Sequence, residues 1–365
     1  MNIPFNDFKR EYQTIKTEVD EAVHRVLDSG YFILGKEGEA VEKELAAYIG
    51  AQYCVGVANG TEAITIALMS QGIGPGDEVI TTNMSAYPTV TGIEQTGATA
   101  VLVDINPQTG LIDPAEVEKH ITQKTKALLP VHLYGQAADL KSLQKLAKQY
   151  QLILVEDCAQ AFGAEYEGKK VGTFGTVSAF SFYPTKNLGA YGDGGAVMTN
   201  DQTTYQKLLS LRNYGQSVRY YHDGKGINSR LDELQAAILR VKLKHLDQYL
   251  TRRRQIGQFY NEQLKNCEVV SEVPGNRHTY HLYVVLVQER EKLIEYLKEK
   301  GIGTIIHYPV PMNKQLAFET QKLEAFPNTK KFTDQVVSIP LYPELKQEEL
   351  EYITQTMNSF FSNVS

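Results

Sequence analysis

Between residues 53 and 157 the chain alternates short, continuously apolar runs with stretches of helical spacing, and this beat limits the fold more than any other feature. YCVGVA, DEVITT, TAVLVD, KALLPV and QLILVED read as strands. Between them lie NGTEAITIALMSQ, the segment near residues 87–96, a stretch opened by Asp113 and Pro114, and DLKSLQKLAKQY, all of which read as helices. Aspartate followed by proline is an N-cap followed by the first helical position. Strands that are apolar on both faces belong to parallel sheets covered by helices on both sides, so the class is α/β. Such sheets hold ligands at the carboxyl ends of their strands. That rule singles out residues 59–61 and 157–160.

The flanks follow other patterns. Phe8, Tyr12, Ile15, Val19, Val23 and Val26 recur at helical spacing until Gly30, and Val41, Leu45 and Tyr48 mark a second helix. After about Leu246 the beat changes. TRRRQIGQFYNEQLK reads as helix, HLYVVLV as strand, REKLIEYLKEK as a helix stopped by Gly301, and Leu350, Ile353, Met357 and Phe360 as one face of a last helix. A chain of 365 residues exceeds one compact core. The expectation is a large domain over residues 1–246 and a smaller α+β domain over 247–365.

Composition excludes several classes. A net charge of -6 gives no basic footprint for nucleic acid. No apolar run is long enough to cross a membrane, and MNIPFNDFKREYQ lacks the apolar core of a signal peptide. Cys54, Cys158 and Cys267 show no metal-ligand spacing, so no metal is expected and a reducing cytoplasm is the simplest compartment.

Three features carry chemistry. Lys186 lies in SFYPTKNLGAYGDGG, a proline- and glycine-rich turn. A desolvated pocket there favours the neutral, nucleophilic amine. Asp157 ends an apolar strand, where a carboxylate is costly unless it meets a positive or hydrogen-bonding partner. Such a carboxylate suits a protonated ring nitrogen. Asn59, Gly60 and Thr61 join a strand to a helix N-terminus, whose free N–H groups and dipole suit a phosphate, with Thr61 and Ser181 adding hydroxyls. Glu62 is expected to point away from that anion.

In this order, the motifs resemble the nucleotide-sugar aminotransferases of the DegT/DnrJ/EryC1/StrS family. The resemblance runs from SGYFILGKEGEAVEKELAAYIGAQYCVGVANGTEA through VEDCAQAFGAEYEGKKVGTFG, SAFSFYPTKNLGAYGDGGAV, LRNYG and GINSRLDELQAAIL to IHYPVP. It implies a fold-type-I enzyme with a mostly parallel seven-stranded sheet, using pyridoxal 5'-phosphate and its pyridoxamine 5'-phosphate form. Lys186 would bond the cofactor as a Schiff base. Asp157 would hold the ring nitrogen and Gln160 the ring hydroxyl side, with Gly60, Thr61 and Ser181 on the phosphate. Asn228 would reach the phosphate of a neighbouring subunit, making the enzyme a homodimer with shared sites. Family members replace this lysine with histidine when they act as dehydratases, so Lys186 favours transamination.

One stretch departs from the pattern. Where many members carry a ring-stacking aromatic, this chain reads Ser85, Ala86, Tyr87, Pro88 and Thr89, and Tyr87 is the aromatic nearest that position. The sequences SFYPTKNLGAYGDGGAV and IHYPVP look like the subgroup that aminates C3 of a dTDP-linked 3-keto-6-deoxyhexose, with L-glutamate as donor and 2-oxoglutarate released. Tyr183, Arg219, Tyr221, His307 and Tyr308 are the candidate sugar-nucleotide contacts, with Arg212, His222 and Lys225 in the same basic, aromatic loop as Arg219 and Tyr221. The rivals are a 4-aminotransferase for a UDP- or GDP-linked keto sugar, a nicotinamide oxidoreductase, and a non-catalytic regulator that keeps the cofactor fold. The oxidoreductase lacks its G-x-G-x-x-G after the first strand.

Overall fold

The computed structural model describes residues 1–318, 320 and 325–364. Helix α1, Phe8–Ser29, begins where the Asp7 side chain accepts from the Arg10 N–H at 3.1 Å. It stops at Gly30, whose φ of 65° is the left-handed conformation glycine adopts without a Cβ clash. Its Ile15, Val19, Ala22 and Val26 pack on Ala237, Ile238 and Val241 of the long helix Glu233–Gln263. Helix α2, Lys36–Ile49, packs on the same rod. The Glu233 carboxylate accepts from the N–H groups of Gly35, Glu37 and Gly38 and so caps α2 from across the fold.

The alternating region forms β1 (Tyr53–Val57), α3 (Gly60–Ser70), β2 (Glu78–Thr82), α4 (Pro88–Glu94), β3 (Thr99–Val103), β4 (Thr125–Leu129) and β5 (Ile153–Asp157). Two more strands, Val177–Ser181 and Gly195–Thr199, complete a seven-stranded sheet. Its order is β1, Gly195–Thr199, Val177–Ser181, β5, β4, β2, β3. Gly195–Thr199 is antiparallel to both neighbours, and the remaining pairings are parallel. Helices cover both faces, as the continuous apolar runs require. One apolar cluster joins Val55, Ile66, Val79, Leu102 and Leu129, and another joins Cys54, Ile80, Leu128, Leu143 and Leu154.

The helix Glu233–Gln263 runs unbroken past Leu246, so the expected junction at 246/247 falls inside a 31-residue rod. Beyond it, Glu268–Val269, Tyr283–Leu286 and Val336–Ile339 form an antiparallel sheet. Helices Arg290–Glu299 and Gln347–Val364 share its apolar cluster through Leu293, Leu297, Leu350, Ile353 and Met357. No helix among the described residues is long and apolar enough to cross a membrane.

Candidate active site

The carboxyl ends of β1, β5 and Val177–Ser181 open into one cavity. Its walls include Asn59, Gly60, Thr61, Ser85, Ala86, Thr89, Asp157, Gln160, Ser181, Tyr183 and Lys186. Sequence positions up to 127 residues apart thus converge because parallel strands end on the same side of a sheet.

At one end stands the N-terminus of α3. The Asn59 side chain accepts from the Glu62 N–H at 2.9 Å, and the Asn59 carbonyl accepts from Ala63. The first two helical N–H groups, those of Gly60 and Thr61, have no acceptor within the helix, and both residues line the cavity, an arrangement suited to an anion. Close packing demands glycine here. A Cβ on Gly60 would sit 2.6 Å from the Ser181 Cβ, and one on Gly195 would sit 2.4 Å from the Asn59 carbonyl oxygen. Glu62 is not among the residues that line the cavity, and its Oε2 is buried without a hydrogen-bond partner among the described residues.

Also on the cavity wall lies Asp157, 2% exposed. Its Oδ1 accepts from the Ala159 N–H at 3.1 Å and its Oδ2 from the Thr89 hydroxyl at 3.0 Å. Burial pushes its carboxyl above the ordinary aspartate value, and those two donors, Lys186 and His132 pull against the rise. Lys186 sits in a tight turn, its N–H bonded to the Tyr183 carbonyl at 2.8 Å. Surrounding protein lowers its amine from 10.5 to about 8, opposed by the Asp157 charge. A neutral amine is thus accessible near neutral pH, in one cavity with a buried carboxylate.

Gln160 is held from both sides. Its Oε1 accepts from the Tyr134 N–H at 2.8 Å, and its Nε2 donates to the Tyr308 hydroxyl at 2.9 Å. Burial pushes the Tyr308 phenol up to about 12. The neighbouring His307 accepts a hydrogen bond from the Tyr134 hydroxyl on its carbonyl, and its Nδ1 lies 2.9 Å from Ser338 Oγ. Burial, then the Lys186 charge, lowers its imidazole to about 4, so it is neutral.

The remaining expected residues lie elsewhere. Ala86, not Tyr87, is on the cavity wall; Tyr87 packs against the apolar core, because its backbone already turns into α4 ahead of Pro88. Asn228 is exposed outside this cavity, bridged to Asn213. Arg219 and Tyr221 lie on an exposed hairpin, Gln216–Val218 with Tyr221–His222. Arg212 is no free cation: its guanidinium is buried against Glu42 and the Gly56 carbonyl. Sequence reasoning did not assign Ser85 and Thr89 to the site. Their four-residue spacing around a helix start was the available signal.

Just behind the cavity, Glu156 faces away from Asp157 along β5. Its carboxylate accepts from the N–H groups of Gly172, Phe174 and Gly175 and pairs with His132 Nε2 at 3.1 Å. Burial pushes this carboxyl up, but His132 and the backbone donors outweigh it and hold it below its ordinary value. His132 Nδ1 accepts from the Ala138 N–H, which assigns the proton to Nε2. His132, Glu156 and Cys158 lie within metal-ligand reach of one another, but the two ring nitrogens and the carboxylate are already engaged, so His132 and Glu156 staple the strand that carries Asp157.

Free helical amides beside a hydroxyl, a buried carboxylate and a neutralisable amine on the walls of one cavity fit a phosphorylated pyridine aldehyde. Comparison with known proteins agrees. The family model described as DegT/DnrJ/EryC1/StrS aminotransferase family matches residues 13–358. The chain belongs to this family of aminotransferases. A "Pleiotropic regulatory protein" of Geobacillus stearothermophilus is 44% identical, over 99% of each chain. The "dTDP-3-amino-3,6-dideoxy-alpha-D-galactopyranose transaminase" of Aneurinibacillus thermoaerophilus is 46% identical, over 98% of this chain and 99% of the relative. The crystal structure of S. venezuelae DesV, solved in complex with a ketimine intermediate, superposes with a TM-score of 0.97 at 42% identity, over the whole of both chains.

Proposed function

We propose that this aminotransferase uses pyridoxal 5'-phosphate to move an amino group from L-glutamate to C3 of a dTDP-linked 3-keto-6-deoxyhexose. The observation that carries the reading is that Lys186, Asp157 and the open N-terminus of α3 line one cavity. The sugar rests on the relative that transaminates a dTDP-3-amino-3,6-dideoxyhexose.

The roles follow from the site. Gly60 and Thr61 N–H groups, with the Thr61 and Ser181 hydroxyls, hold the phosphate. Asp157 would accept a hydrogen bond from a protonated ring nitrogen and, as an anion, keep the proton there. Gln160, oriented by Tyr134 and Tyr308, would take the ring hydroxyl side. When bound, the cofactor supplies an electrophilic carbonyl carbon and an electron sink. Lys186 would hold the cofactor through that carbon. Its amine, when free, would take the proton from the donor Cα and deliver it to the cofactor's carbonyl carbon across the intervening nitrogen, and an amine near 8 can do both at neutral pH.

The enzyme works as a cytoplasmic homodimer in this reading. Residues 31–34, Tyr-Phe-Ile-Leu, are each exposed by 42% or more, an apolar strap suited to burial against a second copy. The hairpin with Arg219 and Tyr221, and Asn228 behind it, would complete the neighbour's site. Tyr183, His307 and Tyr308 would line the sugar side. The name of the Geobacillus relative keeps a regulatory reading in view.

One experiment separates these readings. Purified protein supplied with pyridoxal 5'-phosphate should turn yellow, and borohydride should bleach it and fix the cofactor to Lys186, read by peptide mass. With glutamate and dTDP-3-keto-6-deoxyhexose it should form the 3-amino sugar. Cofactor binding without turnover on any keto sugar would favour the regulator, and product from a UDP- or GDP-linked 4-keto sugar would move the amination to C4.

A further inference from the structure

Two hydroxyls behind Asp157 form an arrangement with a direction. Ser85, Thr89 and Asp157 are 5%, 2% and 2% exposed. Ser85 Oγ lies 2.9 Å from Thr89 Oγ1, and Thr89 Oγ1 lies 3.0 Å from Asp157 Oδ2. A hydroxyl has one proton to donate, and an ionised carboxylate has none. With Asp157 ionised, the Thr89 proton points at Asp157, so the Ser85 proton must point at Thr89. The reverse polarity requires a protonated Asp157, which could not hold a protonated ring nitrogen by charge.

The placement matters as much as the polarity. Ser85 and Thr89 follow β2, whereas Asp157 ends β5, and β4 lies between those strands. The hydroxyl pair therefore reaches over one strand end to another. Thr89 is in the first turn of α4 behind Pro88, so its side chain is carried by a rigid element. The Ala159 N–H takes the other carboxylate oxygen at 3.1 Å. With one donor on each oxygen, the carboxylate plane is fixed and outer lone pairs remain for one more N–H.

We propose that Ser85 and Thr89 are positioning residues that form a one-way hydroxyl chain, Ser85 to Thr89 to Asp157, which aims the Asp157 carboxylate and keeps it anionic. The proposal rests on the cofactor reading above. Thr89 supplies the charge-assisted bond, and Ser85 locks the Thr89 rotor so that its proton faces the carboxylate. Packing alone would give Thr89 a different signature, because valine has its shape without its proton and serine has its proton without its methyl.

The full-length protein and its Thr89→Val, Thr89→Ser and Ser85→Ala variants are stripped of cofactor and titrated with pyridoxal 5'-phosphate. Dissociation constant, absorbance of the bound cofactor between pH 6 and 10, and melting temperature are recorded. Losing one hydrogen bond to a buried charge should weaken binding by Thr89→Val roughly 10- to 100-fold. The ring nitrogen should also lose its proton at lower pH in that variant. Thr89→Ser should stay within about threefold of the parent, and Ser85→Ala should shift in the same direction as Thr89→Val but less, since only the rotor lock is lost. A Thr89→Val protein with parental affinity and pH profile overturns the proposal, as does Thr89→Ser falling as far as Thr89→Val. If Thr89→Val does not fold, an unshifted Ser85→Ala profile overturns it instead. A parent that takes up no cofactor defeats the functional reading itself, a separate result.

Discussion

The carboxyl edge of the main sheet and the hairpin at residues 216–222 were both assigned to ligands from sequence, yet they are built in opposite ways. At the sheet edge, Asp157, Gln160 and Thr89 are buried; Thr89 and the Ala159 N–H bond Asp157, and Gln160 is bonded to Tyr134 and Tyr308. On the hairpin, Val218, Tyr220 and Tyr221 are 65%, 77% and 70% exposed, and Arg219 meets only its neighbour Tyr220 among the described residues. A two-stranded hairpin is marginal by itself, so this one gains order from whatever it touches. The contrast separates two jobs. A centre that moves protons has to hold its charges rigidly in low dielectric, while a surface that admits a large nucleotide sugar has to open and close.

Substitutions can break that division. Lys186→Ala should cost the glutamate half-reaction about 10⁴-fold, followed as single-turnover absorbance with added cofactor. Arg219→Ala, tested the same way, should leave that half-reaction unchanged; a comparable loss there would erase the distinction. Next in size is Glu156→Ala, which leaves three backbone N–H groups and His132 without their acceptor. It should destabilise the fold by about 3 kcal/mol in urea unfolding. A loss under about 0.5 kcal/mol would mean the staple behind Asp157 does little.

Smaller effects sharpen the picture. Arg219→Ala combined with Tyr221→Ala should raise KM for the sugar nucleotide about 30-fold at near-parental kcat for glutamate deamination, the scale of one lost charge-assisted contact. The mildest effect concerns pH. Burial depresses the Lys186 amine to about 8, so its neutral form increases as pH rises through that value and vanishes below it. Cofactor capture by stripped protein should speed up about tenfold from pH 7 to 9 and then level off, where an ordinary lysine would keep rising past 10. A rate that climbs without a plateau would place the amine in open water.

Much of the sheet edge was legible before any coordinates. LILVED ends on a carboxylate that an apolar strand must bury, and the glycines and proline around Lys186 announce a turn. The four-residue spacing of Ser85 and Thr89 could suggest that their hydroxyls share a helix face, but not that the pair would reach a strand two places away. Tyr87 illustrates the same gap in reverse: an aromatic beside the expected position turned inward, and Ala86 took the wall. The hairpin residues were singled out by their chemistry, but their exposure on a two-stranded hairpin was not foreseeable from composition.

What the sequence by itself determined was periodic and local. Apolar runs dictated the strands, Asp7, Asn59 and Asp113 began helices, and Gly30 ended one, because these depend on neighbours within a few residues. Tertiary structure alone decided the order of the strands, the reversed direction of Gly195–Thr199, the capping of α2 by Glu233 and the hydroxyl chain to Asp157. Each of those joins groups far apart in the chain, and such contacts gain their strength only after folding has removed the water between them.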